Sequence, residues 1–284
     1  MQPSDKPDNK ANHRSAARRF SVNLPQQWKR SAFIREPLAR LHQLFSIAEL
    51  SQWPDCDWLN QHSGLEYEFV AQKELDMAGL GYEEFIHRYR QIPTRTQNWH
   101  DLFNALIWRQ FPRTKAALNQ LHMQDISRVG AKQRTPKRDR ITHFDECGVV
   151  LAYTADSGIP ELLRSHQWQQ AMHENRQSWG ESVQAFIFGH ANDEMLLHPY
   201  IGLTGKWLGV EVTADFFHPQ ACLTQRLQVL DCALHKKLLT EDCLAVKGKL
   251  YPLPLLGVPG WWQQNQQPEF YLNTAYFMPL PSKR

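Results

Sequence analysis

The sequence lacks most of the features that would name a chemistry. Its five cysteines, Cys56, Cys147, Cys222, Cys232 and Cys243, are odd in number and contain no C-x-x-C pair. That argues against a disulfide framework and a zinc ribbon, and it fits a reducing cytoplasm. No run approaches ~18 consecutive apolar residues, so no membrane-spanning helix is expected. The first residues have no apolar segment of the secretory type, so no leader is expected either. Gly202-Leu203-Thr204-Gly205-Lys206 has the wrong spacing for a phosphate-binding loop, and H-E-x-x-H, G-x-S-x-G and G-x-G-x-x-G do not occur. Common nucleotide-binding and serine-hydrolase readings therefore have no motif to stand on.

What is present points to a globular core. The chain has 284 residues, 42% hydrophobic and 21% charged, with ten tryptophans. Tryptophan is costly to leave in water, and it fills cores or lines pockets and interfaces. The net charge of +3 is unevenly spread. Residues 1–30 carry seven Lys and Arg against Asp5 and Asp8, and residues 109–140 carry nine against Asp125 and Asp139, leaving the remainder acidic. Two basic segments on an acidic body suit an anionic ligand or nucleic acid, contacted through residues 1–30 and 128–140; a solvated tail and loop would look the same.

Residues 1–24 are polar and read as a disordered part of a basic tail over residues 1–30, with one globular domain from 31 to 284. Helices are expected over Pro37–Phe45, Trp53–His62 and Tyr82–Arg90, the last stopped by Pro93. A further helix follows Asn98, and Pro112 starts another. Ser127–Arg140 reads as a basic loop, longer than most connections. Asp139 then caps a short helix ending at Gly148. Gly148–Tyr153 and Val183–Phe188 are the clearest strands, with weaker ones at Glu66–Val70 and Trp207–Thr213. Ile159–Trp168, Gln170–Trp179 and His190–Leu197 read as helical, and Leu223, Leu227, Leu230, Leu234 and Leu238 mark a long amphipathic helix. Residues from Tyr251 to Pro281, rich in aromatics and proline, read as an ordered wrap. The fold class is α+β: a mostly helical single domain with a small sheet and this C-terminal wrap.

Three polar knots carry the candidate chemistry. In the first, Trp99, Leu102, Phe103, Leu106 and Ile107 make one helical face, while His100, Asn104 and Trp108 form an i, i+4, i+8 arc beside Asp101. A polar row carrying a tryptophan implies a second buried surface. His100 is a base or metal ligand on this reading; the plain alternative has Asp101 capping backbone N–H groups and Asn104 bonding a nearby loop. The second knot, Asp145-Glu146, puts two carboxylates at the negative end of a helix, an arrangement that asks for a reason unless Arg138 or Arg140 pairs with them. The third, Gly189-His190-Ala191-Asn192-Asp193-Glu194, places His190 at the carboxyl end of a strand with Glu194 one turn away, as a metal site would, or as an ordinary surface pair would.

Several longer strings carry a family resemblance. They are Pro93-Thr94-Arg95, Asn98-Trp99-His100-Asp101-Leu102-Phe103-Asn104-Ala105-Leu106, Phe111 to Asn119 with His122, Phe144-Asp145-Glu146, Phe188-Gly189-His190-Ala191 with Glu194 and Pro199, and Leu256-Gly257-Val258-Pro259-Gly260-Trp261. Together they resemble a bacterial family, domain of unknown function 3025, over roughly residues 40–280. The resemblance implies an identity without a mechanism. The family pattern leads one to expect acidic residues after Phe270-Tyr271, where this chain has Leu272-Asn273, so the tail is not counted among the ligands.

The expected function is a divalent-metal-dependent hydrolase acting on a phosphate-bearing or anionic substrate. His100, Asp145, Glu146 and His190 are its catalytic candidates and His100, His190 and Glu194 its metal ligands. Asn104, Trp108, Arg113 and Lys115 are the substrate-binding candidates, with Arg140 nearby. Two other classes stay open: a nucleic-acid- or polyanion-binding protein without catalysis, and an interaction module using Trp261-Trp262.

Overall fold

The computed structural model describes residues 27–61 and 64–280. The tail expected over residues 1–30 falls, up to residue 26, outside the described residues. Short helices α1 (Ala39–Phe45) and α2 (Cys56–Asn60) lead into β1 (Glu68–Ala71), α3 (Gln72–Ala78), α4 (Tyr82–Tyr89) and β2 (Gln91–Thr94). β1 and β2 pair in parallel, Phe69 opposite Ile92 and Val70 opposite Pro93. Pro93 therefore does not stop α4. Arg90 does, in the left-handed region at φ 57°, and Pro93 sits in a two-stranded edge pair where its missing N–H is tolerated.

α5 (Trp99–Gln110) starts where expected, with Asn98 accepting the Asp101 N–H at 3.0 Å. α6 (Pro112–Val129) follows, then α7 (Pro136–Cys147). The expected basic loop over Ser127–Arg140 is thus corrected to residues 130–135. Thr135, not Asp139, caps α7 by accepting the Arg138 N–H at 3.1 Å, and Pro136 occupies the first helical position.

After α7 come β3 (Gly148–Tyr153), α8 (Ile159–Arg164), β4 (Val183–Ile187), α9 (His190–Met195), β5 (Thr204–Glu211), α10 (Leu223–Leu239) and β6 (Tyr251–Pro254). The helices expected over Ile159–Trp168 and Gln170–Trp179 shrink to α8, one π turn at Gln170–Glu174 and a 3-10 turn at Arg176–Ser178. The main sheet runs β4-β3-β5-β6, with β3 antiparallel to β4 and parallel to β5, and β6 antiparallel to β5.

This sheet is buried on both faces. Val149 and Leu151 of β3 join one apolar cluster with Trp99, Phe103 and Leu106 of α5 and with Tyr271 and Phe277 of the wrap. Val150 and Ala152 join the other with Leu118 of α6, Phe144 of α7 and Leu227, Leu230, Leu234 and Leu238 of α10. The period-2 alternation of a strand divides one apolar run between two cores. The tryptophans mostly fill them: Trp28, Trp53 and Trp99 pack within 5.3 Å of one another by ring centroid. The wrap is fixed by hydroxyls, Tyr276 donating to the Leu203 carbonyl at 2.7 Å and Tyr271 to that of Gly257 at 2.8 Å. Trp261 and Trp262 are half-buried against the same cluster. No helix among the described residues is long and apolar enough to cross a membrane.

One glycine, Gly189, sets how closely the end of β4 meets the start of β3. The Gly189 N–H donates to the Gly148 carbonyl at 2.8 Å. A Cβ on Gly189 would collide with backbone atoms of Glu146, Cys147 and Gly148, none of which is a flexible side-chain tip. Gly189→Ala is therefore expected to cost about 3 kcal/mol, the upper end for overpacking. Urea unfolding checks this, and a loss below about 0.5 kcal/mol, the range of ordinary surface substitutions, would show that the approach is not tight.

Candidate functional site

α5 is buried almost all round, as its mixed pattern implied, and its polar arc divides. His100 and Asn104 line a cleft of about 410 Å³ together with Tyr82, Arg95, Asp101, His122, Asp145, Glu146 and His190. Trp108 does not reach it. Its ring is buried against Tyr67, centroids 4.8 Å apart, and its place in substrate binding is replaced by a place in the core. The cleft gathers α3, α4, α5, α6, α7 and α9, so all three polar knots converge in it.

At its centre the Nε2 atoms of His100 and His190 lie 3.0 Å apart. Glu146 Oε2 is 3.4 Å from the same His190 Nε2. Among the described residues, His100, Glu146 and His190 each offer one ligand atom, all within 4.8 Å of one another. Glu194, expected as a ligand, stands one position further out: its carboxylate accepts from His100 Nδ1 at 2.9 Å. It therefore fixes the imidazole orientation and leaves Nε2 facing the cluster. Glu146, not Glu194, is the carboxylate that stands with the two imidazoles.

The electrostatics separate the two imidazoles. Burial opposes charge on His100, but the Glu194 hydrogen bond and the Glu146 and Asp101 charges outweigh it and raise its pKa. Burial of His190 dominates and pushes its pKa down to about 3, so it is neutral at ordinary pH. Its Nδ1 makes no hydrogen bond of good geometry, although the Asp145 backbone lies near enough to favour the protonated ring. Burial also raises the Glu146 carboxyl.

A charged network underlies this cluster. Lys115, buried, donates to Asn104 Oδ1 at 2.9 Å and to Asp145 Oδ1 at 2.5 Å. The Asn104 amide donates to the Tyr82 hydroxyl at 2.8 Å. Burial acts to raise the Asp145 pKa, but Lys115 and the neighbouring histidines hold it below the usual carboxylate range. Burial, with Glu83 and Asp145 nearby, keeps the Tyr82 phenol well above its ordinary range, and so protonated. Asp145 is thus a partner of Lys115 beside the cluster rather than a member of it, and Lys115, behind the lining, ties Asp145 to Asn104.

The other expected basic contacts lie elsewhere. Arg113 donates its backbone N–H to Asp231 on α10 at 3.0 Å and its guanidinium to Cys232 at 3.3 Å. Asp231 also accepts the Thr114 N–H at 2.8 Å, so this carboxylate caps α6 from a distant helix. Arg138 donates to the Ala131 and Gln133 carbonyls and Arg140 to those of Leu244 and Ala245, so neither pairs with Asp145 or Glu146. Arg128, Arg134 and Lys137 pair with Asp125, Asp139 and Asp242.

Of the cleft residues that carried no sequence signal as site residues, Arg95 and His122 bring ionisable nitrogen to it. Arg95 follows β2, and its Nε and Nη2 are held by the Asp101 carboxylate at 2.9 and 2.7 Å. Asp101 also takes the Arg95 N–H at 2.7 Å. Instead of closing a capping box on Asn98, Asp101 fixes an arginine at the mouth. Buried His122 also lines the cleft, its Nε2 3.9 Å from Glu83. Both fell inside the strings that carried the family resemblance, but no spacing rule marked them.

A family model described as a protein of unknown function (DUF3025) matches residues 67–281. No curated protein and no solved structure matches the chain.

Removing Lys115 would strand the Asp145 charge against the cluster. Lys115→Met is expected to cost roughly 3–5 kcal/mol in urea unfolding, as for one partner of a buried pair. Adding Asp145→Asn should recover part of that loss. Equal stability of Lys115→Met and the wild type would show that the pair is effectively solvated.

Proposed function

The chain belongs to the DUF3025 family, and on the geometry of its cleft we propose that it is a divalent-metal-dependent hydrolase acting on a small anionic substrate. One observation carries the reading: two imidazole Nε2 atoms face each other at 3.0 Å with a carboxylate oxygen 3.4 Å from one of them. Two lone pairs at that separation repel unless a cation lies between them. A proton can serve, and so can a metal ion, for which bonds of roughly 2.0–2.1 Å put neighbouring ligand atoms about 3.3 Å apart. Two histidines and one carboxylate leave coordination positions free, as catalytic sites require. The carboxylate behind His100, at 2.9 Å, is the outer partner that metal-bound histidines commonly have.

The lining supports both the cation and an anionic substrate. Of the four carboxylates that line the cleft, Asp101 is met by Arg95 and Asp145 by Lys115, which leaves Glu83 and Glu146 without a Lys or Arg partner among the described residues. A metal would offset that charge and, when bound, would supply an activated water and polarise the substrate. Arg95 is the one Lys or Arg among the described lining residues. Asp101 occupies its Nε–Nη2 edge, leaving Nη1 for an anionic group on the substrate. This role passes to Arg95 from Arg113 and Arg140. Nucleic-acid or polyanion binding through residues 128–140 draws less support, because most of the basic side chains there are engaged with carboxylates or carbonyls of the chain itself.

Metal analysis after dialysis against Zn²⁺ should give one ion per chain. His100→Ala, His190→Ala and Glu146→Gln should each weaken Zn²⁺ binding, measured calorimetrically, by more than the roughly 10–100-fold that loss of an outer partner such as Glu194 costs. Arg95→Met should leave Zn²⁺ binding intact and abolish the binding of inorganic phosphate to the loaded protein. A folded wild type that binds neither Zn²⁺ nor Mn²⁺ removes the reading.

A further inference from the structure

α9 carries two groups of the site, His190 and, behind His100, Glu194, on only six residues. A helix that short does not hold its own orientation, and its N-cap, Gly189, has no side chain to help. Cluster geometry is sensitive to that orientation. A side-chain atom about 5–6 Å from a helix axis moves about 1 Å for each 10° of rotation, whereas a working site tolerates about 0.5 Å.

The remaining polar residues of α9 face away from the cleft. Asn192 is fully buried and donates to the Gly148 carbonyl at 3.2 Å. Asp193, also fully buried, receives Arg40 Nη2 of α1 at 2.6 Å. Arg40 is itself held by its Nη1, which donates to the Pro37 carbonyl at 2.7 Å. This pair is not built for maximum stability. Arg40 Nε and Asp193 Oδ1 are buried without partners, so the contact is single rather than a two-bond fork. Buried pairs of this kind are poor stabilisers, and their best-attested use is to specify one arrangement over its neighbours.

We infer that Arg40 is a positioning residue of the metal centre: through Asp193 it fixes the rotation of α9 that aims His190 Nε2 at the cluster and Glu194 at His100 Nδ1. The inference rests on the metal reading above, and it names a residue outside the cleft on which that centre depends. Arg40 lies 153 positions from Asp193 and does not line the metal cleft. It borders instead a second cleft, of about 310 Å³, with Pro37, Trp179 and Trp261.

The test titrates Zn²⁺ and records the Co²⁺ visible spectrum. Asp193→Asn keeps the side-chain shape and should lower Zn²⁺ affinity about 10-fold, the low end for an outer partner, with an altered Co²⁺ spectrum. Arg40→Met should match it, and Arg40→Lys should keep part of the affinity. If a single variant fails to fold, Arg40→Met with Asp193→Leu leaves no unpaired buried charge and should show the same loss. Folded variants with wild-type affinity and spectrum overturn the inference. If the wild type binds no metal, the parent reading fails separately, and the ¹⁵N resonances of His100 in the metal-free protein decide. Wild type should show Nδ1 protonated towards Glu194, Asp193→Asn should show a mixed tautomer, and identical resonances overturn the positioning role.

Discussion

The candidate site depends on the backbone contact between Gly148 and Gly189. Where α7 ends and β3 begins, Gly189 lets the chain leaving β4 lie directly on the backbone of Glu146, Cys147 and Gly148, with a 2.8 Å hydrogen bond to Gly148 and no room for a Cβ on Gly189. That approach sets the start of α9 against the end of α7, so His190 meets Glu146. Without it, His190 at the start of α9 and Glu146 near the end of α7 would still lie at the same end of the sheet, but farther apart. The sheet contributes rigidity: β3 is buried on both faces, and its two neighbours fix its register.

Around that contact the protein buries charge, and most of it is paired. Lys115 meets Asp145, Arg40 meets Asp193, and Asp231 caps the start of α6. The cluster of His100, His190 and Glu146 is the exception. Its members turn towards one another, and the charge that would reconcile them is a shared proton or a cation. Each outer contact narrows what the inner groups can do: Glu194 orients one imidazole, burial keeps the other neutral, and Asp101 fixes the guanidinium at the mouth.

Much of this was readable because certain signals are local. β3 was legible to the residue, since a glycine precedes an unbroken apolar run. α5 was legible from Asn98 and from a pattern too apolar for a surface helix, and the polar arc did mark a second buried face. Other elements resisted for identifiable reasons. Pro93, Pro252 and Pro254 argue against strands by composition, yet β2 and β6 are edge strands where the missing N–H does no harm. The stretch Ser127–Arg140 looked like a loop because its charges hid the Thr135-Pro136 helix start, and those charges are satisfied by partners as distant as Asp242. In the site, the three knots could be named but their division of labour could not. Spacing cannot say that Glu194 faces His100 while Glu146 faces His190, and nothing local marks Arg95 or His122.

The exposed connection at residues 130–134, between α6 and α7, divides the chain between two sets of site residues. His100, Lys115 and Arg95 precede it; Asp145, Glu146, His190 and Glu194 follow it. The contacts of the cleft, His100 with His190 and Glu194 and Lys115 with Asp145, span that point, and so does the Arg40–Asp193 pair behind α9. A nick there, at the kind of exposed tip proteases favour, would remove no member of the cluster and break none of these contacts directly. Either fragment alone would nonetheless hold only part of the cluster, which makes the cleft a seam between two stretches of chain and a property of neither.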